Sequence, residues 1–231
     1  MNETAQSATV GVNGVASTSA DLRVGSDHRY TRSTRERLGW PGVLLHRLGV
    51  RIGLLLGGSF YFDSEDRTLL ENRVLPFYQL SEQHQSILFV GVNWPTQGYV
   101  RMFSHKSLVT LDLLPSMARY GSGRHIIASA ADIDQYFEPH SLDLVVMNGV
   151  FGWGLDSTAD IERTVAGFHR CLRPGGHLLV GWNDLEGHRA WVPETVASMR
   201  MFKPLVFPTL GVSEIRVNNI WQHVYQFYEV A

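Results

Sequence analysis

Cysteine is all but missing: Cys171 is the only one in 231 residues. That excludes an internal disulfide and any CxxC metal or redox site, and in HRCLRPGG it reads as a small buried apolar residue. Lysine is scarce as well, at positions 106 and 203 only, the formal net charge is −2, and no basic block occurs. The chain thus lacks the electrostatic footprint of a nucleic-acid binder. The ten histidines form no HxH or HExxH pair, so no metal site is expected.

Long apolar runs are lacking too. The most apolar stretch, GVLLHRLGVRIGLLLGG (42–58), is interrupted by His46, Arg47 and Arg51. It falls short of the ~20 apolar residues of a membrane span, so a covering helix is expected instead. Residues 1–27 are rich in Ser, Thr, Ala, Gly and Asn and have neither the charged start nor the apolar run of a signal peptide. They read as a flexible tail, and a cytoplasmic protein without membrane or nucleic-acid partners is expected. Oligomeric state is not readable from the sequence.

What is present is the composition of a globular domain, 44% hydrophobic and 18% charged. From Ser81 onward short apolar runs alternate with turn-rich or amphipathic segments. SILFVG (86–91), SLVTLD (107–112), HIIAS (125–129), SLDLVVMN (141–148) and HLLVGWND (177–184) are five strand candidates. Ser157 and Asp160 form a capping pattern ahead of Ile161, Val165, Phe168 and Leu172 at helical spacing. VSEIRV (212–217) and HVYQFYEV (223–230) read as a closing strand pair. Such alternation predicts an α/β fold of three layers, a parallel sheet with helices on both faces. Residues 63–80 predict a helix disturbed by Pro76. Segment 28–80 is expected to form a helical cover over the sheet's ligand edge, leaving 81–231 as the ligand-binding domain.

Ligands of an open parallel sheet bind at the carboxyl ends of its strands, which makes the strand-following residues the ones to read. Gly91-Val92-Asn93 follow the first strand and Asp112 ends the second. Asp132 follows the third, Asn148-Gly149-Val150-Phe151 close the fourth, and Trp182-Asn183-Asp184 close the fifth. An acid in the place of Asp112 suits the two hydroxyls of a ribose and repels a 2′-phosphate. Asp132 lies where an adenine amino group could find an acceptor. Each acid alone could equally be a turn former.

Together with ILFVG, ADIDQYFEPHSLDLVVMN (131–148) and LRPGGHLLVGW (172–182), these acids make residues 81–231 resemble the class I S-adenosylmethionine-dependent methyltransferases. The resemblance implies a Rossmann-like sheet of seven strands in the order 3-2-1-4-5-7-6 with strand seven antiparallel. It carries over Gly91, Asp112 and Asp132 as cofactor contacts. Their loop neighbours Val92, Asn93, Leu113, Ile133, Asn148, Gly149 and Phe151 complete the candidate cofactor-binding set. The chain departs from the family at the first loop. The acid usually two residues before the first glycine is Phe89, and Asn93-Trp94-Pro95 replace the later glycines. No GxGxxG nest for a pyrophosphate remains, which disfavours a dinucleotide-dependent dehydrogenase.

Three readings stay open. In the first, the protein methylates a small molecule in a biosynthetic pathway, with Asn148, Asp184 and His188 as candidate catalytic residues. Segment 185–211, with Trp191, Met199, Met201, Phe202 and Phe207, would then be either a specificity lid or core. In the second, S-adenosylmethionine is itself the substrate. The missing acid at Phe89 would free its α-amine to close azetidine-2-carboxylate and expel methylthioadenosine, with Phe89, Trp94, Phe151, Trp153 and Trp182 steadying the sulfonium. In the third, the fold is a non-catalytic subunit that binds an adenosyl ligand or has lost it.

Overall fold

The computed structural model describes residues 64–185 and 195–231. The expected tail (1–27), most of the cover (28–63) and the first part of the expected lid (186–194) lie outside the described residues. Among the described residues eight strands form one sheet: β1 (Ser86–Val90), β2 (Ser107–Asp112), β3 (Arg124–Ile127), β4 (Leu142–Asn148), β5 (Leu172–Asn183), β6 (Phe202–Pro204), β7 (Glu214–Val217) and β8 (His223–Val230). Their order is β3-β2-β1-β4-β5-β8-β6, and β7 also pairs with β8. β1 to β5 are parallel, whereas β8 runs antiparallel to β5, β6 and β7.

The expected seven-strand order is thus present, with β7 and β8 as the sixth and seventh strands. The short β6 is additional, and it extends the edge of β8 already lined by β7. β5 starts earlier than expected, at Leu172, and takes up the Pro-Gly-Gly segment by a register shift against β4.

Strand alternation divides the core in two. Leu88, Val90, Val145, Met147, Leu178 and Val180 face the helix α4 (Thr158–Cys171). Ile87, Phe89, Leu144, Val146, Leu179 and Tyr225 face the segments α1 (Glu65–Leu69), α2 (Leu75–Leu80) and α3 (Gln97–Met102). Ser157 caps α4 as expected, accepting the Asp160 N–H at 3.1 Å, and Ile161, Val165 and Phe168 are buried. Between α1 and α2 the helix widens to a π turn, Leu70–Val74. Pro76 follows at once. A proline offers no N–H and crowds the carbonyl four residues back, and the wider turn is where that strain is absorbed.

The connections after β2 and β3 are 3-10 turns, Pro115–Tyr120 and Ala130–Gln135, rather than full helices. Among the described residues no helix is long and apolar enough to cross a membrane.

Candidate functional site

Because β1 lies between β2 and β4, Val90 pairs with both Leu111 and Met147. Gly91, Asp112 and Asn148 therefore leave the sheet side by side. Gly91 has φ +80°, and a Cβ on it would come within 2.6 Å of Val150 Cγ2, so glycine is required both for the turn and for that approach. The carboxylate of Asp112 accepts the Val92 N–H on Oδ2 and the Leu114 N–H on Oδ1, each at 2.9 Å. It thereby ties the β1 loop to the β2 turn, and each oxygen keeps a second lone pair. Leu113 and Leu114, each 54% exposed, form an apolar wall beside it. Asp132 is half-buried in the turn capped by Ser129, and its carboxylate has no hydrogen-bond partner among the described residues.

Several expected contacts are spent elsewhere. Asn93 caps the 3-10 turn Trp94–Thr96: its side chain accepts the Trp94 N–H at 2.7 Å, and its own N–H reaches Thr96 Oγ1 at 3.0 Å. The residues that replace the family's glycines thus build a capped turn leading into α3. The Val92 side chain is buried and its N–H is committed to Asp112. Ile133 is fully buried beneath α4, and Phe151 is buried against the same core. Gly149 keeps its place at the edge with φ +69° and donates to Gly181 O at 2.8 Å.

Of the five aromatics proposed to surround a sulfonium, Phe89, Phe151 and Trp182 are core residues. Phe89 lies against Tyr99 and Phe103, with ring centroids 5.5 and 5.8 Å away. Trp182 donates to Gln226 Oε1 at 3.2 Å on the opposite face. Trp153 stands at the tip of the β4 loop, 55% exposed. In the expected lid Met199, Phe202 and Phe207 are likewise buried, so packing accounts for them, while Trp191 lies outside the described residues.

The candidate catalytic residues separate. The Asp184 carboxylate is ion-paired to Arg216 of β7 at 2.8 Å, toward the antiparallel end of the sheet. His188 lies outside the described residues. Asn148 stays at the edge and is joined by two residues that sequence reading did not bring to it. Its Oδ1 lies 2.9 Å from His223 Nε2, and His223 Nδ1 lies 2.6 Å from Asn183 Oδ1. Burial pushes the His223 imidazole down to about 4, with Asp66 opposing, so the ring is neutral. A sequence signal did exist in Gly181, since a glycine inside a buried strand marks a close approach.

A second polar group lies beneath α1. Tyr99 donates to Glu71 Oε1 at 2.8 Å, Arg67 Nη1 donates to the Tyr99 hydroxyl at 3.0 Å, and Arg67 and Glu71 approach to 3.6 Å. Burial raises the Glu71 carboxyl above its ordinary range against the pull of Tyr99 and Arg67. Among the described residues no group of three His, Cys, Asp or Glu side chains could hold a metal.

Comparison with known proteins agrees with this geometry. Residues 90–180 match the family model described as a methyltransferase domain. The N-methyltransferase NodS from Bradyrhizobium japonicum WM9 aligns with a TM-score of 0.51 at 18% identity, covering 68% of this chain and 92% of that one. NodS has also been crystallised with S-adenosyl-L-homocysteine. A TehB-like SAM-dependent methyltransferase from Corynebacterium glutamicum aligns with a TM-score of 0.51 at 17% identity, covering 81% and 97%. The PH0226 protein from Pyrococcus horikoshii aligns at 0.52 and 14% identity, covering 74% and 95%. No curated protein matches the chain. Residues 90–180 thus match a methyltransferase domain, and the sheet that carries them has the fold of solved methyltransferase structures.

Proposed function

We propose that the protein binds S-adenosylmethionine across the carboxyl ends of β1, β2 and β4 and transfers its methyl group to a small molecule met at Asn148. The observation that carries this reading is Asp112. Its two oxygens are fixed by backbone N–H groups and keep lone pairs for a ribose, beside the exposed Leu113 and Leu114. Asp132 offers a second acceptor beyond β3. Bound there, the cofactor supplies an electrophilic methyl group on a sulfonium.

What the chain contributes is placement. An acceptor with a free lone pair needs in-line approach and exclusion of water more than a strong base. Asn148 is placed to orient it, and Asp184 is not assigned as base. The cofactor found with NodS supports the adenosyl ligand. The cyclase reading gains no specific support, because three of its five aromatics are core residues.

Calorimetric titration with S-adenosylmethionine and S-adenosylhomocysteine, followed by mass spectrometry with and without a panel of small amine, hydroxyl and carbonyl acceptors, tests this proposal. Binding with acceptor-dependent S-adenosylhomocysteine is expected. Methylthioadenosine and azetidine-2-carboxylate formed without acceptor would establish the cyclase, and absence of binding would leave the non-catalytic reading.

A further inference from the structure

His223 is 5% exposed and sits between the side-chain oxygens of Asn148 and Asn183. A neutral imidazole has one N–H, so it can donate to only one of them. The other amide must turn its NH2 toward the ring. Two arrangements satisfy the chain of three, and they present opposite faces of Asn148 to the ligand edge. With the proton on Nε2, Asn148 gives its oxygen to His223 and its NH2 to the cleft. With the proton on Nδ1 the reverse holds.

Gly181 decides between them. A Cβ built on it would fall 1.9 Å from Asn148 Oδ1 and 2.9 Å from His223 Nε2, beside the hydrogen bond and pressed against the Asn148 atom. The glycine hydrogen that occupies this direction points at the Asn148 atom. An oxygen there accepts a weak Cα–H contact, whereas an NH2 would set hydrogen against hydrogen. Asn148 is half-buried, and among the described residues its Nδ2 has no hydrogen-bond partner.

We infer that His223 is a positioning residue that holds the Asn148 amide with its NH2 toward the ligand edge, and that the methyl acceptor presents a hydrogen-bond-accepting oxygen there, a carbonyl or carboxylate rather than an ammonium. This rests on the ligand edge proposed above. The relay is complete when the Asn183 amide turns its NH2, in place of Oδ1, to Nδ1, and the strand pairing of Asn183 with His223 keeps the two in register.

The test is a long-range nitrogen–proton NMR spectrum of the full chain labelled with 15N at pH 7, with His223 assigned by its loss in His223→Gln. A neutral ring protonated on Nε2 is expected, with or without S-adenosylhomocysteine. Protonation on Nδ1, or a charged ring, overturns the inference. Gly181→Ala should abolish that single-tautomer signature, and an unchanged spectrum in the folded variant would equally overturn it. On an acceptor found in the panel, Asn148→Asp keeps an oxygen for Nε2–H but loses the outward NH2. It should lose turnover about 100-fold while binding S-adenosylhomocysteine normally; full turnover would refute the donor role. If S-adenosylhomocysteine does not bind the wild type, the cofactor reading fails, and the tautomer result still stands or falls alone.

Discussion

Asp112→Ala separates the bracing role of this carboxylate from the ribose contact proposed for it. In the folded protein it accepts two backbone N–H groups, from Val92 and Leu114, both at 2.9 Å. The Val92 side chain is buried, so its N–H is expected to be left without a partner, at a cost of about 1–3 kcal/mol. The neighbouring turn at Leu114 is open to solvent, where water can replace the lost acceptor at little cost. The expected loss of stability is therefore about 1–3 kcal/mol, read as a lower urea midpoint at unchanged slope. If the remaining lone pairs hold a ribose, affinity for S-adenosylmethionine falls by a further 1–3 kcal/mol or so, about 5- to 150-fold in calorimetric titration. Lost stability with intact affinity would refute the ribose assignment and leave Asp112 a loop brace. Unchanged stability would refute the bracing argument. Asn is not a conservative control here, because its NH2 would face one of the two N–H donors.

Asn148→Ala is expected to lower turnover more than S-adenosylmethionine affinity, measured by comparing kcat with a direct binding titration; equal losses would make it a structural amide. Tyr99→Phe removes the hydroxyl that bridges Arg67 and the buried Glu71, leaving Glu71 only the 3.6 Å approach of Arg67, and should destabilise the fold by about 1–3 kcal/mol in urea unfolding. Burial lowers His84 to about 4, and His84 is almost inaccessible beside His177. The folded ring stays neutral where the unfolded one takes a proton, so its contribution is complete above pH 6.5 and is lost as pH falls toward 4. His84→Gln should therefore flatten the fall in unfolding free energy between pH 6.5 and 4.5 by up to about 1.4 kcal/mol per pH unit; an unaltered slope would contradict this.

The parallel strands and α4 were legible because each carries its own period and punctuation: Ser157 begins the helix, and Gly91 and Asp112 close their strands. β6 was not, since Phe202-Lys203-Pro204 has neither alternation nor length, and it forms only because β8 offers an unpaired edge. The same limit governs the site. Gly91, Asp112 and Asn148 stand at strand ends, where position alone marks them. His223 lies 75 residues beyond Asn148 and meets it only through the antiparallel register of β5 and β8. For the aromatics, a sequence cannot tell a ring turned to the cleft from one turned to the core; Phe89 and Trp182 face the core because alternation puts their side chains on opposite covered faces of the sheet.

The contact of Gly91 with Val150 makes the loops after β1 and β4 interlocking parts. Val150 occupies the space that a side chain at Gly91 would need, and Gly149 is hydrogen-bonded to Gly181 of β5. A shift of the β1 loop away from the sheet would leave a void over Val150, and a shift toward it is blocked. A ligand held beside Asp112 would thus bear on the loop that begins at Asn148 and carries Trp153. If S-adenosylmethionine binds there as proposed, its binding should stiffen the loop on the Asn148 side.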